Sequence, residues 1–259
     1  STTTVAACDS YIWNDSTYTQ SGTYSYSGSV GGSNTYSMNF DGTDDITIPS
    51  FPTDNPNVTV SVWIKPDTYN WGGTVWKELI DTWYGNGETP FRLALKSGKV
   101  WFGHESGLIN NTGNFVSSVF TSTDWNNITG VREYINGVYI CSLYINGVLV
   151  NNITSTHPPN LSSPHTLSFA NNPNPTLGGN EFYTGKMDDA TIWSIALSQQ
   201  EIQNYMNCPP TGNESGLVGY WNFEEGSGST VYDQTSNGHD GTINGATYNT
   251  NVPTQSCAL

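Results

Sequence analysis

Two runs in the chain crowd carboxylates closely enough to share a cation: Asp41, Asp44 and Asp45 in FDGTDDITI, and Asp188 and Asp189 in GKMDDATIW. Neighbouring carboxylates resist ionising together unless a cation or a proton neutralises one of them. Calcium, which takes about six to eight oxygen ligands, suits such spaced acids. A solvated turn or strand end is the plainer fate of the same residues. A third acidic set comprises Glu224, Glu225, Asp233 and Asp240. Its run DQTSNGHDG begins with oxygen side chains on alternate residues, as an EF-hand loop does. It departs at the twelfth position, where Asn244 stands in place of the bidentate Glu. A structural turn is the better reading of it.

Catalytic chemistry finds less support. Glu78 and Asp81 in KELIDTW stand three apart, which places them on opposite faces of a regular strand. Glycoside hydrolysis needs two carboxyl groups flanking one bond, and the paired or triple carboxylate spacing that would supply them is missing from every predicted strand. His104, His157, His165 and His239 stand in turn-like contexts without a paired nucleophile and read as surface residues. No GxSxG, HExxH or phosphate-cradling glycine loop occurs. No catalytic residue is assigned, and the chain is read as a non-enzyme.

Binding is the chemistry that remains. DTYNWGGTVWKELIDTWYGNGETP gathers Tyr69, Trp71, Trp76, Trp83 and Tyr84 between strands. Indole and phenol faces stack on the C–H faces of sugars, while Asn, Asp and Glu read hydroxyls. Trp71, Trp76, Trp83 and Tyr84 are therefore the candidate ligand-binding residues. Packing inside the fold is the competing use of the same rings.

The elements that must position these residues are strands. Charged residues make up only 11% of the 259 and aromatics 13%, with Gly, Ser, Thr and Asn abundant. That balance disfavours long helices and favours strands joined by polar turns. VTVSVWIKP alternates Val58, Val60, Val62 and Ile64 against Thr59, Ser61 and Trp63. PFRLALKSGKVWFGHES predicts a hairpin turning at Ser97-Gly98, and GVYICSLYINGVLVNNI one turning at Asn146-Gly147. Ser198, followed three residues later by Glu201, forms a capping box that opens one short helix. The N-terminal CDSYIWNDSTYTQSGTYSY predicts a hairpin with little core of its own.

A net charge of −15, from 22 acids against 7 bases, repels phosphate backbones and excludes nucleic acid as a partner. No apolar run is long enough to span a bilayer, so no membrane insertion is expected. No signal peptide is visible, and a mature product or an excised fragment is expected. Asn57, Asn127 and Asn152 head Asn-X-Ser/Thr triplets that fit export, though chance produces them in so Asn- and Thr-rich a chain. None of the four cysteines, Cys8, Cys141, Cys208 and Cys257, forms a CxxC pair, which argues against zinc. Cys141 shares strand parity with Leu143 and Ile145 and reads as a small core hydrophobe. Cys208 and Cys257 bracket the C-terminal segment and could staple it by a disulfide, while Cys8 could pair with either. Sequence alone does not choose among the pairings.

MNFDGTDDITIP, TDWNNITGVRE, YINGVLV and GKMDDATIWSIALSQQEIQNYM occur in an order that resembles the laminin-G-like domain. That family belongs with the concanavalin A-like and pentraxin-like jelly rolls, and the likeness covers about two-thirds of the chain. The resemblance implies an all-β, two-sheet antiparallel jelly-roll sandwich with one short helix near 198–206. It implies a binding module, and a structural calcium ion at the rim with Asp41, Asp44, Asp45, Asp188 and Asp189 as candidate ligands. It also places Trp63 and Trp125 in the core.

The segment GLVGYWNFEEGSGSTVYDQTSNGHDGTINGATY looks like the piece that usually precedes the FDG strand in this family, yet here it follows the closing helix. Either the domain is circularly permuted or the segment opens another copy. Permutation is favoured, because an orphan LVGYWNF strand would expose Trp221 and Phe223. Residues 1–33 then form a β segment and linker, and 34–259 the jelly roll, with 216–248 supplying the usual first strand. The N-terminal phrase resembles short repeats of large bacterial surface adhesins. The expected role is a non-catalytic binding or adhesion module of an extracellular, cell-surface protein, calcium-supported, with a glycan or cell-surface ligand. A targeting module of a polysaccharide-degrading enzyme and a purely structural repeat are the alternatives.

Overall fold

The structure, a computed structural model, describes residues 34–69, 71, 75–82, 89–105, 114–161, 163–174 and 181–257, with the backbone of 11–13 and 16–18. Two short strands, β1 (Tyr11–Trp13) and β2 (Ser16–Tyr18), pair antiparallel with each other. The sandwich begins with β3 (Ser37–Asp41), β4 (Asp45–Phe51) and β5 (Val58–Pro66). It continues through β6 (Lys77–Asp81), β7 (Arg92–Lys96), β8 (Lys99–His104) and β9 (Asn114–Val119). Three longer strands follow: β10 (Asn126–Ile135), β11 (Val138–Ile145) and β12 (Val148–Ser155). Then come β13 (His165–Phe169), β14 (Thr184–Trp193) and the helix α1 (Gln199–Asn207). The chain closes with β15 (Leu217–Trp221), β16 (Thr230–Val231), β17 (Gly241–Asn244) and β18 (Thr247–Asn249).

One sheet runs β12-β11-β10-β5-β14-β3-β18, with β15 also on β14, and the other runs β16-β17-β4-β13-β6-β7-β8-β9. All ladder pairs are antiparallel, and the two sheets pack as a jelly-roll sandwich. Period-2 alternation accounts for the core: Val58, Val60, Val62 and Ile64 of β5 turn inward with Phe40, Ile192 and Leu143. Ile46, Ile48, Leu93, Leu95, Val100 and Phe102 meet them from the second sheet. Gly130 of β10 lies where Phe102 crosses, and a Cβ there would stand 2.1 Å from that ring. The Asn136-Gly137 and Asn146-Gly147 turns both take positive φ at each residue, the geometry that two-residue hairpins require.

The helix opens on the capping box: Glu201 N–H donates to Ser198 Oγ at 3.3 Å, and Ser198 N–H to the Glu201 carboxylate at 2.7 Å. Ile202 seats α1 on Trp193, Leu197, Leu217 and Tyr220, covering part of the first sheet's outer face. Among the described residues no helix is long and apolar enough to cross a membrane.

The C-terminal strands are built into both sheets. β15 pairs with the second half of β14, Thr191 facing Tyr220, and β18 pairs with β3. β17 extends the second sheet on β4. Trp221 and Phe223 share the core with Phe40 and Ile192. Cys208 and Cys257 are joined by a disulfide, and Cys141 is a buried free thiol. Cys8 lies outside the described residues.

Several placements differ from the sequence-based ones. Trp125 is half-buried, its indole N–H donating to Asn251 Oδ1 at 2.8 Å, because it precedes β10 at the rim. Trp63 is buried, but on the outer face of β5 rather than in the core. His104 and His165 are buried at the ends of strands, not on the surface. Burial, with Arg132 nearby, pushes the His104 imidazole down to about 3, so it is a neutral packing group.

Candidate functional site

The outer face of the second sheet collects the side chains with the most chemistry. Alternation turns Trp76 and Glu78 outward beside Arg92, Ala94 and Lys96 of β7, and these beside Gly103, Trp101 and Lys99 of β8. Phe115 and Ser117 complete the face from β9. Ala94 and Gly103 are small, and the rings of Trp76, just ahead of β6, Trp101 and Phe115 fill the space above them. Trp76 meets Trp101 edge-on at 5.6 Å between centroids and Phe115 at 5.6 Å. All three rings are half-buried. Lys96 Nζ stands 4.2 Å from the Trp76 centroid, the Arg92 guanidinium 5.2 Å from it, and Lys99 Nζ 5.8 Å from that of Trp101. These are cation–π distances.

Beside this platform, β6 departs from a regular strand. Its register on β7 shifts between Glu78 and Ile80, a bulge that sends both Leu79 and Ile80 into the core. Glu78 and Asp81 therefore share one face, contrary to their placement from regular spacing. Arg92 joins them, with Nε 3.4 Å from Glu78 Oε2 and Nη2 3.2 Å from Asp81 Oδ2. Both carboxyls are 0% exposed. Burial pushes the Glu78 carboxyl well above its ordinary range, against the pull of Arg92. The pair forms a buried ion cluster with Arg92 beneath the platform.

The proposed aromatic loop divides. Trp76 is a platform residue at the mouth of β6. Trp71 is buried and its ring lies parallel to Phe120 (centroids 6.0 Å, planes 5° apart), so it is part of the packing. Trp83 and Tyr84 lie outside the described residues. Trp101 and Phe115 escaped the sequence reading because neither lies in a conspicuous loop. The signal was in KVWFGH, where Trp101 alternates against Val100 and Phe102.

The two aspartate runs are not brought together. Thr184 pairs with Asp41 and Met187 with Met38, so Asp188 sits about four residues, roughly 13 Å, along β3 from Asp41. At the rim, Asp41 accepts from the Thr43 hydroxyl at 2.7 Å, and the backbone N–H of Asp41 donates to Asp44 at 2.9 Å. Asp45 accepts from Asn171 and Asn244. Asp188 and Asp189 occupy the middle of β14. A bulge between Asp188 and Thr191 puts both on the outer face, with Asp189 at φ 46°. Asp188 accepts from Asn34 and from the Asp189 N–H; Asp189 accepts from the Tyr220 hydroxyl at 2.7 Å and Gln255 at 2.7 Å. Burial raises both carboxyls, Asp188 well above its usual range and Asp189 to about 6.

Asp45, Asp188 and Asp189 accept from N–H and O–H donors at both carboxylate oxygens, and among the described residues no three His, Cys, Asp or Glu converge on one point. The Asp233 run is a turn: its carboxylate accepts from the N–H groups of Tyr220, Thr235 and His239.

A family model described as the concanavalin A-like lectin/glucanases superfamily matches residues 40–203. Among solved structures, a candidate carbohydrate-binding protein from Bacteroides ovatus superposes with a TM-score of 0.64 at 16% identity. That match covers 86% of this chain and 62% of the other, so the chain spans less than two thirds of that neighbour. The native heptameric SAP-like pentraxin of Limulus polyphemus gives 0.58 at 15% identity, covering 87% of this chain and 98% of the pentraxin. At such identities the likeness is one of fold. No curated protein matches the chain in sequence.

Proposed function

The chain belongs to the concanavalin A-like lectin/glucanase superfamily, and from that premise we propose that it is a non-catalytic carbohydrate-binding module serving adhesion on an exported, cell-surface protein. The observation that carries this reading is the platform of Trp76, Trp101 and Phe115, half-buried rings set on a rigid sheet. Rings held by strands lose little freedom on stacking against a sugar, which favours binding. Glu78 and Asp81, the carboxyl pair that the sequence offers for catalysis, are buried and held by Arg92, which supports the non-catalytic part. Titration of the whole chain against a panel of soluble polysaccharides tests the proposal. Binding is expected, and Trp101→Ala should weaken it at least tenfold while leaving the melting curve recognisably cooperative. An empty panel, or a Trp101→Ala protein that binds as well, would refute it.

Calcium support is a separable part of the proposal. A cation at Asp188–Asp189 would have to displace amide donors from Asn34 and Gln255, and Asn34 Oδ1 is the buried oxygen there without a donor. Calcium that binds only the native state raises its stability by mass action. A melting temperature unmoved between excess calcium and excess chelator would retire this part alone.

A further inference from the structure

The platform region concentrates basic residues in an acidic protein. Four of the chain's seven basic residues, Lys77, Arg92, Lys96 and Lys99, fall on three adjacent strands, β6 to β8, of a protein whose net charge is −15. Arg92 is neutralised by Glu78 and Asp81. Lys96 and Lys99 are not: among the described residues neither has an acidic partner. They also face each other directly across the β7–β8 hairpin. Like charges opposed on neighbouring strands destabilise a sheet, and each side chain lies over a platform ring, Lys96 on Trp76 and Lys99 on Trp101. The cost is relieved when an anion sits between them.

Resting on the carbohydrate-binding reading above, we infer that the ligand is an acidic polysaccharide whose sugar rings stack on Trp101 and its neighbours while a carboxylate or sulfate meets Lys96 and Lys99. The chain's overall negative charge does not prevent this. At physiological salt, charges more than about 8 Å away are largely screened, so contact with two lysines outweighs distant acids. Ring stacking supplies the apolar half of recognition, and the lysine pair supplies the preference for acidic over neutral glycans.

The test compares oligomers of equal length with the whole protein: a polyuronate, a sulfated galactan, a neutral β-glucan and, as a non-sugar anion, poly-glutamate. At least one acidic sugar oligomer is expected to bind at least tenfold more tightly than the neutral one, and to weaken as salt rises. Lys96→Gln with Lys99→Gln should lower that affinity roughly tenfold, the scale of two exposed ion pairs, and lower neutral-glucan binding by much less. Lys96→Arg with Lys99→Arg should keep it, which separates charge from packing. Whether uronate or sulfate binds better identifies the acidic group. A neutral glucan bound as tightly, or a Gln pair that binds acidic sugar like the parent, overturns this inference and leaves the platform reading standing. Poly-glutamate bound as tightly as either sugar overturns the glycan source. No binding to any oligomer overturns both.

Discussion

Trp221 offers the sharpest test of whether the C-terminal segment is part of the sandwich. Its side chain is fully buried, packs on Phe51 and Phe169 at centroid distances of 6.0 and 5.1 Å, and donates to the His239 carbonyl at 2.8 Å. The ring lies over Gly219, where a Cβ would come within 2.4 Å of it. Replacing Trp221 by Ala removes this packing and orphans a carbonyl. A buried Trp→Ala change costs about 3–5 kcal/mol, and an unsatisfied buried acceptor about 1 kcal/mol more. Against a native stability of about 5–15 kcal/mol, the loss of about 4–6 kcal/mol is a large share. At roughly 2–4 °C per kcal/mol for a chain of this size, the melting temperature should fall about 10–20 °C. Urea titration followed by near-ultraviolet circular dichroism, with calorimetry beside it, measures both quantities. Tyr232→Ala, at a side chain 53% exposed, serves as the control and should stay within about 0.5 kcal/mol of the parent. If Trp221→Ala costs less than about 1.5 kcal/mol, or a chain ending at Asn207 melts like the whole, the segment does not complete the core.

Serine at both Cys208 and Cys257 should cost about 4 kcal/mol in urea titration, the loop-entropy estimate for a bridge spanning 49 residues; a change below about 1 kcal/mol would mean the bridge constrains little. Asp189 titrates near 6 in the fold, against an ordinary value of 3.8. The native state therefore keeps a proton that the unfolded chain has released, and the contribution of Asp189 to stability should fall as pH climbs from about 4 to 6. The drop is on the order of 3 kcal/mol. Urea midpoints at pH 4, 5, 6 and 7 should show Asp189→Asn flattening that decline, and parallel profiles would contradict it. Gly130→Ala should destabilise by about 1–3 kcal/mol through its clash with Phe102, and an unchanged midpoint would show that the ring can move aside.

Short-range chemistry was readable in the sequence because neighbours decide it. Asn146-Gly147, Ser97-Gly98 and the Ser198–Glu201 box each set a local geometry with little help from the rest of the chain. The bulges at Glu78–Ile80 and Asp188–Thr191 were not readable, because a bulge depends on what the partner strand and the core demand. At β6 the core takes both Leu79 and Ile80, and that demand, absent from any spacing rule, turns Asp81 to the side of Glu78. The aromatics divide for the same reason. Trp71 and Trp76 look alike in sequence, yet one finds Phe120 to lie on and the other finds Ala94 and Gly103 leaving room above a sheet. Platform membership is set by small residues on neighbouring strands as much as by the rings themselves.

The covalent ring closed by Cys208 and Cys257 has a mechanical meaning. Asn249 of β18 pairs with Ser37 of β3, so the two outer ends of that pair lie together. A pull on the chain before Ser37 and after Asn249 would otherwise open the pair like a zipper, one hydrogen bond at a time. The bridge changes the load path. Tension arriving at Cys257 passes through sulfur to Cys208 and into α1, while β15 to β18 sit inside a closed loop that carries no force. A module anchored at both ends would then yield first at β3 or α1, and the strands holding Trp221 in the core would stay in place until the bridge is reduced.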